Sequence, residues 1–296
     1  MAFVLLERWK IHEKIGSGSF GEVFSAEDLE TGADVAVKRE LINPKHTAYI
    51  FNEYECYKTL GDADGFPKVL YCGSIDQYNV IVMTMLGPDL RFLLKRSRSG
   101  TLPIKTVFYC IPRMIQRLQY IHSQGIVFRD VKPDQFCIGR SGENGHIGPI
   151  IYMIDFGLAT RYMHDGRHIP ERKHAKNRPK TGTARYASVN VHLGYDHTRR
   201  DDLESLAYVA VELAKGSLPW AGINALSSVQ GWRKVGNIKN EVLIADLCQD
   251  LPDAFSQFLE YARNLGFDEE PDYGRLMRLF TDFYDSNWKD DVLFWE

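Results

Sequence analysis

Nowhere do the 296 residues hold an uninterrupted apolar run near the roughly 18–20 that a bilayer-spanning helix needs. The opening MAFVLLERWK has too short an apolar stretch for a secretory signal, so no membrane span is expected and the expected location is cytosol or nucleus. Cysteine is scarce. Cys56, Cys72, Cys110, Cys137 and Cys248 stand singly, with no pair at zinc-knuckle spacing and an odd total that cannot pair off within one chain. They are expected as reduced thiols in packing roles. Internal repeats, low-complexity tracts and coiled-coil heptads are also missing.

With 44% hydrophobic residues, the chain can bury a substantial core, as one large domain or two lobes. Its net charge of −3 hides an asymmetry: residues 161–185 carry eight Lys/Arg against two Asp/Glu, whereas residues 241–296 carry fourteen Asp/Glu against four Lys/Arg. The basic stretch is either a solvated loop or a surface for an acidic or phosphorylated partner.

The first 85 residues are rich in strand signals. KIGSGSFGEVFSAEDLETGADVAVKREL holds two half-alternating runs joined by the turn Glu30-Thr31-Gly32, which predicts an antiparallel hairpin. A short helix is expected at FNEYECYKTL and strands at FPKVLYCG and YNVIVMTM. Leu86-Gly87-Pro88 marks a boundary, after which the period changes. Val107, Ile111, Met114, Leu118 and Ile121 step by four, three, four and three, one face of a helix interrupted only by Pro112. Residues 201–214 read as a second, more buried helix. The expectation is an α+β protein: a small β-rich lobe over about 1–85, a connection at 84–88 and a larger helical lobe from about 89, one domain over 1–296.

Gly16-Ser17-Gly18-Ser19-Phe20-Gly21 is a GxGxxG, weak by itself because dinucleotide-binding folds share the spacing. A helix would follow there, whereas Glu22-Val23-Phe24 continues as a strand, which favours a glycine hairpin over nucleotide phosphates. No Gly-Lys-Ser/Thr follows, so a P-loop is excluded. Val35-Ala36-Val37-Lys38 sets a half-buried ammonium seventeen residues on, and such a charge wants an anion; Glu53 on the next predicted helix could orient it. Met153-Ile154-Asp155-Phe156-Gly157 ends an apolar strand in a carboxylate able to hold Mg²⁺. Taken singly, each has an ordinary reading as a surface pair or a chance tripeptide.

In order and separation, the glycine loop, VAVK, RDVKPDQ (129–135) and DFG together resemble the eukaryotic protein kinases. TGTARYASVN (181–190) in place of an Ala-Pro-Glu element, RRDDLESL (199–206), GSLPW (216–220) and LGPDL (86–90) resemble the casein kinase I family of Ser/Thr kinases, from about Trp9 to Tyr284. The resemblance implies the two-lobed kinase fold, ATP with Mg²⁺ or Mn²⁺, acidic or phosphorylated protein substrates, no nucleic-acid partner and a monomer. It implies phosphate cover from Gly16, Ser17, Gly18, Ser19, Phe20 and Gly21, adenine contacts from Ile15, Val23, Ala36, Met83, Thr84 and Leu86, and phosphate binding by Lys38 with Glu53. Asp130 is then the catalytic base, Lys132 the residue that steadies the γ-phosphate, Asp155 and Gln135 the metal ligands, Arg178 and Arg185 the substrate-anion readers, and Asp202 the carboxylate that fixes the catalytic loop.

The sequence departs from the family pattern in three places. Phe128 replaces the usual His, and an aromatic of similar size keeps the expected packing beneath Phe156. Gln135 replaces an Asn and adds one methylene, about 1.3–1.5 Å of reach, where Mg²⁺ wants ligands near 2.0–2.1 Å. A competent but impaired kinase is therefore expected, with a nucleotide-binding scaffold as the alternative. In AGINALSSVQGWRK (221–234), Ser228, Val229 and Gly231 stand where the family has a basic cluster, with Arg233 and Lys234 displaced from it. An acidophilic preference with weaker or altered dependence on a priming phosphate is expected.

Overall fold

The computed structural model describes residues 4–18, 21–43, 48–140, 150–172 and 180–288. Ser19, Phe20 and Arg178 lie outside the described residues. By packing, the chain falls into two compact units, Met1–Gly87 with Cys137–Ala159 and Pro88–Phe136 with Thr160–Glu296.

The first unit is built on a six-stranded antiparallel sheet. Its strands are β1 (Val4–Leu5), β2 (Trp9–Gly18), β3 (Gly21–Asp28), β4 (Asp34–Leu41), β5 (Val69–Ile75) and β6 (Tyr78–Thr84), in the order β1-β2-β3-β4-β6-β5. The predicted hairpin is β3 with β4, turning through Glu30-Thr31-Gly32. Val35, Val37, Val80, Val82 and Ala26 alternate onto one face and close over Trp9 and Leu5, because side chains two apart on a strand share a face. Helix α1 (Tyr49–Leu60) follows β4, as expected from FNEYECYKTL, and buries Ile50, Glu53, Cys56, Tyr57 and Leu60.

The second unit is helical. After α2 (Leu90–Arg96), capped by the Asp89 carboxylate on Phe92 N, comes α3 (Ile104–Ser123). All five residues of its predicted face, Val107, Ile111, Met114, Leu118 and Ile121, are fully buried, and the helix runs through Pro112. Short strands flank the loops that matter for function: β7 (Ile126–Val127), β8 (Phe136–Ile138), β9 (Ile151–Met153) and β10 (Thr160–Arg161), with β7 paired to β10 and β8 to β9. Then come α4 (Val189–Leu193), α5 (Arg199–Lys215), α6 (Ser228–Glu241), α7 (Ile244–Leu247), α8 (Ala254–Asn264) and α9 (Tyr273–Trp288). Residues 201–213 of α5 are buried without a break, the signature of a helix enclosed on all sides. No helix among the described residues is long and apolar enough to cross a membrane.

Candidate active site

The register of the sheet places the first group of residues. Lys38 lies opposite Val23 on one neighbour and Ile81 on the other, and Ala36 lies opposite Ser25 and Met83. Directly opposed residues share a face, so Val23, Ala36, Lys38 and Met83 line the side of the sheet away from the valine core. Thr84 and Leu86 continue from the end of β6; Thr84 exchanges a backbone bond with Lys68 O at 3.0 Å, and both are half-buried. Ile15 on β2 is exposed.

Lys38 is buried, and its Nζ donates to Glu53 Oε2 at 2.6 Å and to Asp155 Oδ1 at 2.7 Å. Burial works to lower the pKa of the ammonium; the Glu53 and Asp155 charges outweigh burial and hold it above the ordinary lysine value. Glu53 moves up as well, first from burial and then from the charge of Asp155, against the pull of Lys38. Three ionised groups in so small a space leave an ammonium fixed between carboxylates from a helix and a strand end.

Asp155 follows β9 in the left-handed backbone region, at φ 67°, which a non-glycine residue adopts only when its surroundings impose it. Those surroundings are specific. Asn52 Nδ2 reaches the carbonyls of Phe156, Gly157 and Ala159 at 3.0–3.1 Å, and Asp155 N donates to Tyr57 OH at 3.3 Å. Phe156 is fully buried against Tyr57 and Phe66, ring centroids 5.1 and 5.9 Å apart. Neither Asn52 nor Tyr57 had been singled out from the sequence. Tyr57 shares the buried α1 face of Glu53, four residues on, whereas Asn52, one residue before Glu53, projects from an adjoining face.

The three motif glycines differ. Gly21 has φ +125°, and a Cβ there would lie 2.1 Å from Arg39 O, so only glycine fits. Gly18 has open space where a Cβ would go, and Gly16 meets only the Val23 side chain at 3.7 Å. Ser17 is exposed on the same strand.

The second unit holds the other group. Asp202, in the first turn of α5, is buried and accepts from the backbone N–H of Phe128 at 2.7 Å and of Arg129 at 2.8 Å. His122 Nε2 and His197 Nε2 each lie 3.0 Å from its two oxygens. Burial works to raise the Asp202 pKa, but the histidine contacts prevail and hold it well below the usual carboxylate range. The loop so anchored carries Arg129 at φ 73° and presents Asp130. Asp130 Oδ2 accepts from Lys132 Nζ at 2.6 Å, and its Oδ1 from the Thr183 hydroxyl at 2.7 Å. Gly182, at φ +89°, lets residues 181–183 lie against the loop, since a Cβ would come 2.4 Å from Arg129 O. Thr183 and Gly182 stood inside the quoted TGTARYASVN without a role; the contact with Asp130 supplies one. Gln135 is buried in a short 3₁₀ turn (Pro133–Gln135), and Phe128 is buried as well.

Arg185 Nη1 donates to Glu212 Oε1 at 3.2 Å, and Arg129 Nη2 to the Thr181 hydroxyl at 2.6 Å. In the 221–234 loop, Arg233 is exposed and Lys234 Nζ is turned onto Asn224 O at 2.8 Å.

Within the first unit, then, Lys38, Glu53 and Asp155 come together; Asp130, Lys132 and Gln135 belong to the second. Among the described residues no three His, Cys, Asp or Glu side chains could hold a metal by themselves. Asp155 offers only oxygen to a cation, which fits a hard divalent ion that draws its remaining ligands from phosphate and water. A family model for the protein kinase domain matches residues 9–263, from the first long strand through α8. This chain belongs to the protein kinase domain family, whose members transfer phosphate to proteins using ATP and a divalent metal.

Proposed function

We propose that the chain is a catalytically competent Ser/Thr protein kinase of the casein kinase I type, using Mg²⁺ or Mn²⁺ with ATP and favouring acidic substrates. The observation that carries competence is the joint engagement of Lys38 by Glu53 and Asp155, at 2.6 and 2.7 Å. Phosphoryl transfer asks little covalent work of a protein; it asks for alignment and for cations near the moving charge. Lys38 supplies one such cation, held between two carboxylates. The open side of Gly18 leaves room for phosphate oxygens to approach the backbone.

Asp130 takes the role of orienting the acceptor hydroxyl and receiving its proton, with Lys132 2.6 Å away to stabilise the carboxylate and then the phosphate. Asp155 and Gln135 are the residues that would hold a divalent ion, which would neutralise charge at the phosphates. The casein kinase I reading is supported by TGTARYASVN, whose Gly182 and Thr183 make the contacts with Arg129 and Asp130 described above.

The second reading, a nucleotide-binding scaffold, is favoured only by Gln135. Purified protein is incubated with labelled ATP, Mg²⁺ or Mn²⁺, and casein, beside the Gln135→Asn and Asp130→Asn variants. The kinase reading expects transfer that rises in Gln135→Asn and falls about 10²–10⁴-fold in Asp130→Asn. ATP binding without transfer under either metal would establish the scaffold.

A further inference from the structure

Glu212 lies on α5 with its carboxylate buried. It accepts from three donors: Arg91 Nη2 at 2.9 Å, Arg185 Nη1 at 3.2 Å and Tyr186 OH at 2.5 Å. Arg91 also bonds the Tyr186 hydroxyl and lies 3.4 Å from Asp134 Oδ2. Two guanidiniums therefore face two carboxylates, and the cluster carries no net charge.

Arg185 is two residues beyond Thr183, whose hydroxyl rests on Asp130. Its side chain remains 39% exposed, and its backbone is pinned by Trp220 Nε1 on Arg185 O at 2.7 Å. It is thus fixed beside the acceptor site and partly open to solvent, where an anionic substrate group could meet it. What such a group would meet is a guanidinium whose charge is already compensated from below.

We propose that Glu212 is a specificity-determining residue: by engaging Arg185 within a charge-balanced cluster, it prevents this kinase from reading a phosphorylated residue on its substrate. The proposal rests on the reading of Arg185 as a substrate-facing residue. Removing the Glu212 charge gives the cluster a net positive charge and frees the guanidinium fork for phosphate, whose oxygens match its paired N–H groups.

The test uses a positional library of acceptor peptides, each made with phosphoserine or with serine at a flanking position, and binding read by fluorescence anisotropy. In the wild-type protein, Arg185→Ala is expected to change the ratio of phosphorylated to unphosphorylated affinity less than twofold. Glu212→Gln is expected to raise that ratio at least fivefold, and adding Arg185→Ala is expected to remove the gain. Arg185→Ala costing the phosphopeptide tenfold in the wild-type background would overturn the proposal, as would a folded Glu212→Gln with an unchanged ratio. Should Glu212→Gln fail to fold, Asp134→Asn removes the exposed carboxylate of the same cluster. A gain of two- to threefold that depends on Arg185 supports the proposal, and no gain sinks it. Binding does not need turnover, so absence of phosphate transfer would count against the kinase reading alone.

Discussion

Lys38 is legible from sequence as a lysine ending an alternating strand, yet its worth depends on two carboxylates 15 and 117 residues away. Lys38→Met leaves Glu53 and Asp155 facing each other with no cation between them, and a broken buried pair costs about 3–5 kcal/mol. Transfer is expected to fall about 10²–10³-fold, the usual loss of one electrostatic stabiliser. Lys38→Met with Glu53→Gln should regain much of the melting temperature and none of the activity, which thermal denaturation beside a phosphorylation assay would show. Because the Lys38 pKa is raised, its contribution to stability is complete below its unfolded value of 10.5 and disappears only as pH climbs through the higher folded one. Motif residues with their own chemistry, Lys38, Asp130 and Asp155, could be read from the sequence. Asn52, Tyr57 and Glu212 could not, because an amide, a phenol and a helical carboxylate acquire meaning only from the carbonyls and guanidiniums the fold brings to them.

Among the elements, the glycine hairpin separates a folding requirement from a binding one. Gly21→Ala forces a Cβ against Arg39 O at a backbone angle that L-residues avoid, at a cost of about 1–3 kcal/mol, so its melting temperature should drop by several degrees. Gly18→Ala meets nothing within 4 Å and should melt as wild type while weakening ATP, measured as a raised KM. A sequence motif marks both glycines alike; only the path of β4 beneath Gly21 tells them apart.

The seam between α4 and α6 makes a different prediction. His192 Nε2 donates to Ala184 O at 3.1 Å, and its ring packs on Trp232 at 5.0 Å. Burial, then the Lys239 ammonium, pushes its pKa down to about 3, from 6.5 in the unfolded chain; Lys180 adds to the effect. A depressed histidine contributes stability above about pH 6.5 and loses it as pH falls toward the folded value, by about 1.4 kcal/mol per pH unit. Buried His122, also depressed, adds loss in the same window, whereas Asp202 adds its own only once pH falls to about 4 and below. Between pH 6.5 and 5 the melting temperature should fall, and His192→Gln should flatten the slope. A slope identical to wild type in that variant would exclude His192 as its source.

For the whole molecule, nucleotide binding is expected to appear as stability. A ligand at a hundredfold its Kd adds about 2.7 kcal/mol to a protein that binds it only when folded. Mg·ATP should therefore raise the melting temperature by several degrees. Asp155→Ala should lose the part of that shift that depends on metal, while Asp130→Asn, which removes a group assigned to the acceptor side, should keep it. Equal losses in the two variants would argue against these separate roles.

The alternation of valines, the 3.6-residue face of α3 and the turn at 30–32 are local patterns, and from them the sequence by itself determined the α+β class and the hairpin; the kinase resemblance came from its motifs. Periodicity and motif spacing survive in one dimension because backbone geometry imposes them residue by residue. The tertiary structure alone decided that Asn52 would hold the Phe156–Ala159 backbone, that Thr183 would rest on Asp130, and that Arg185 would be met by Glu212. Each of those contacts joins residues 27 to 107 positions apart, and a pairing of that range is fixed by which faces pack, a property that no single stretch of chain contains.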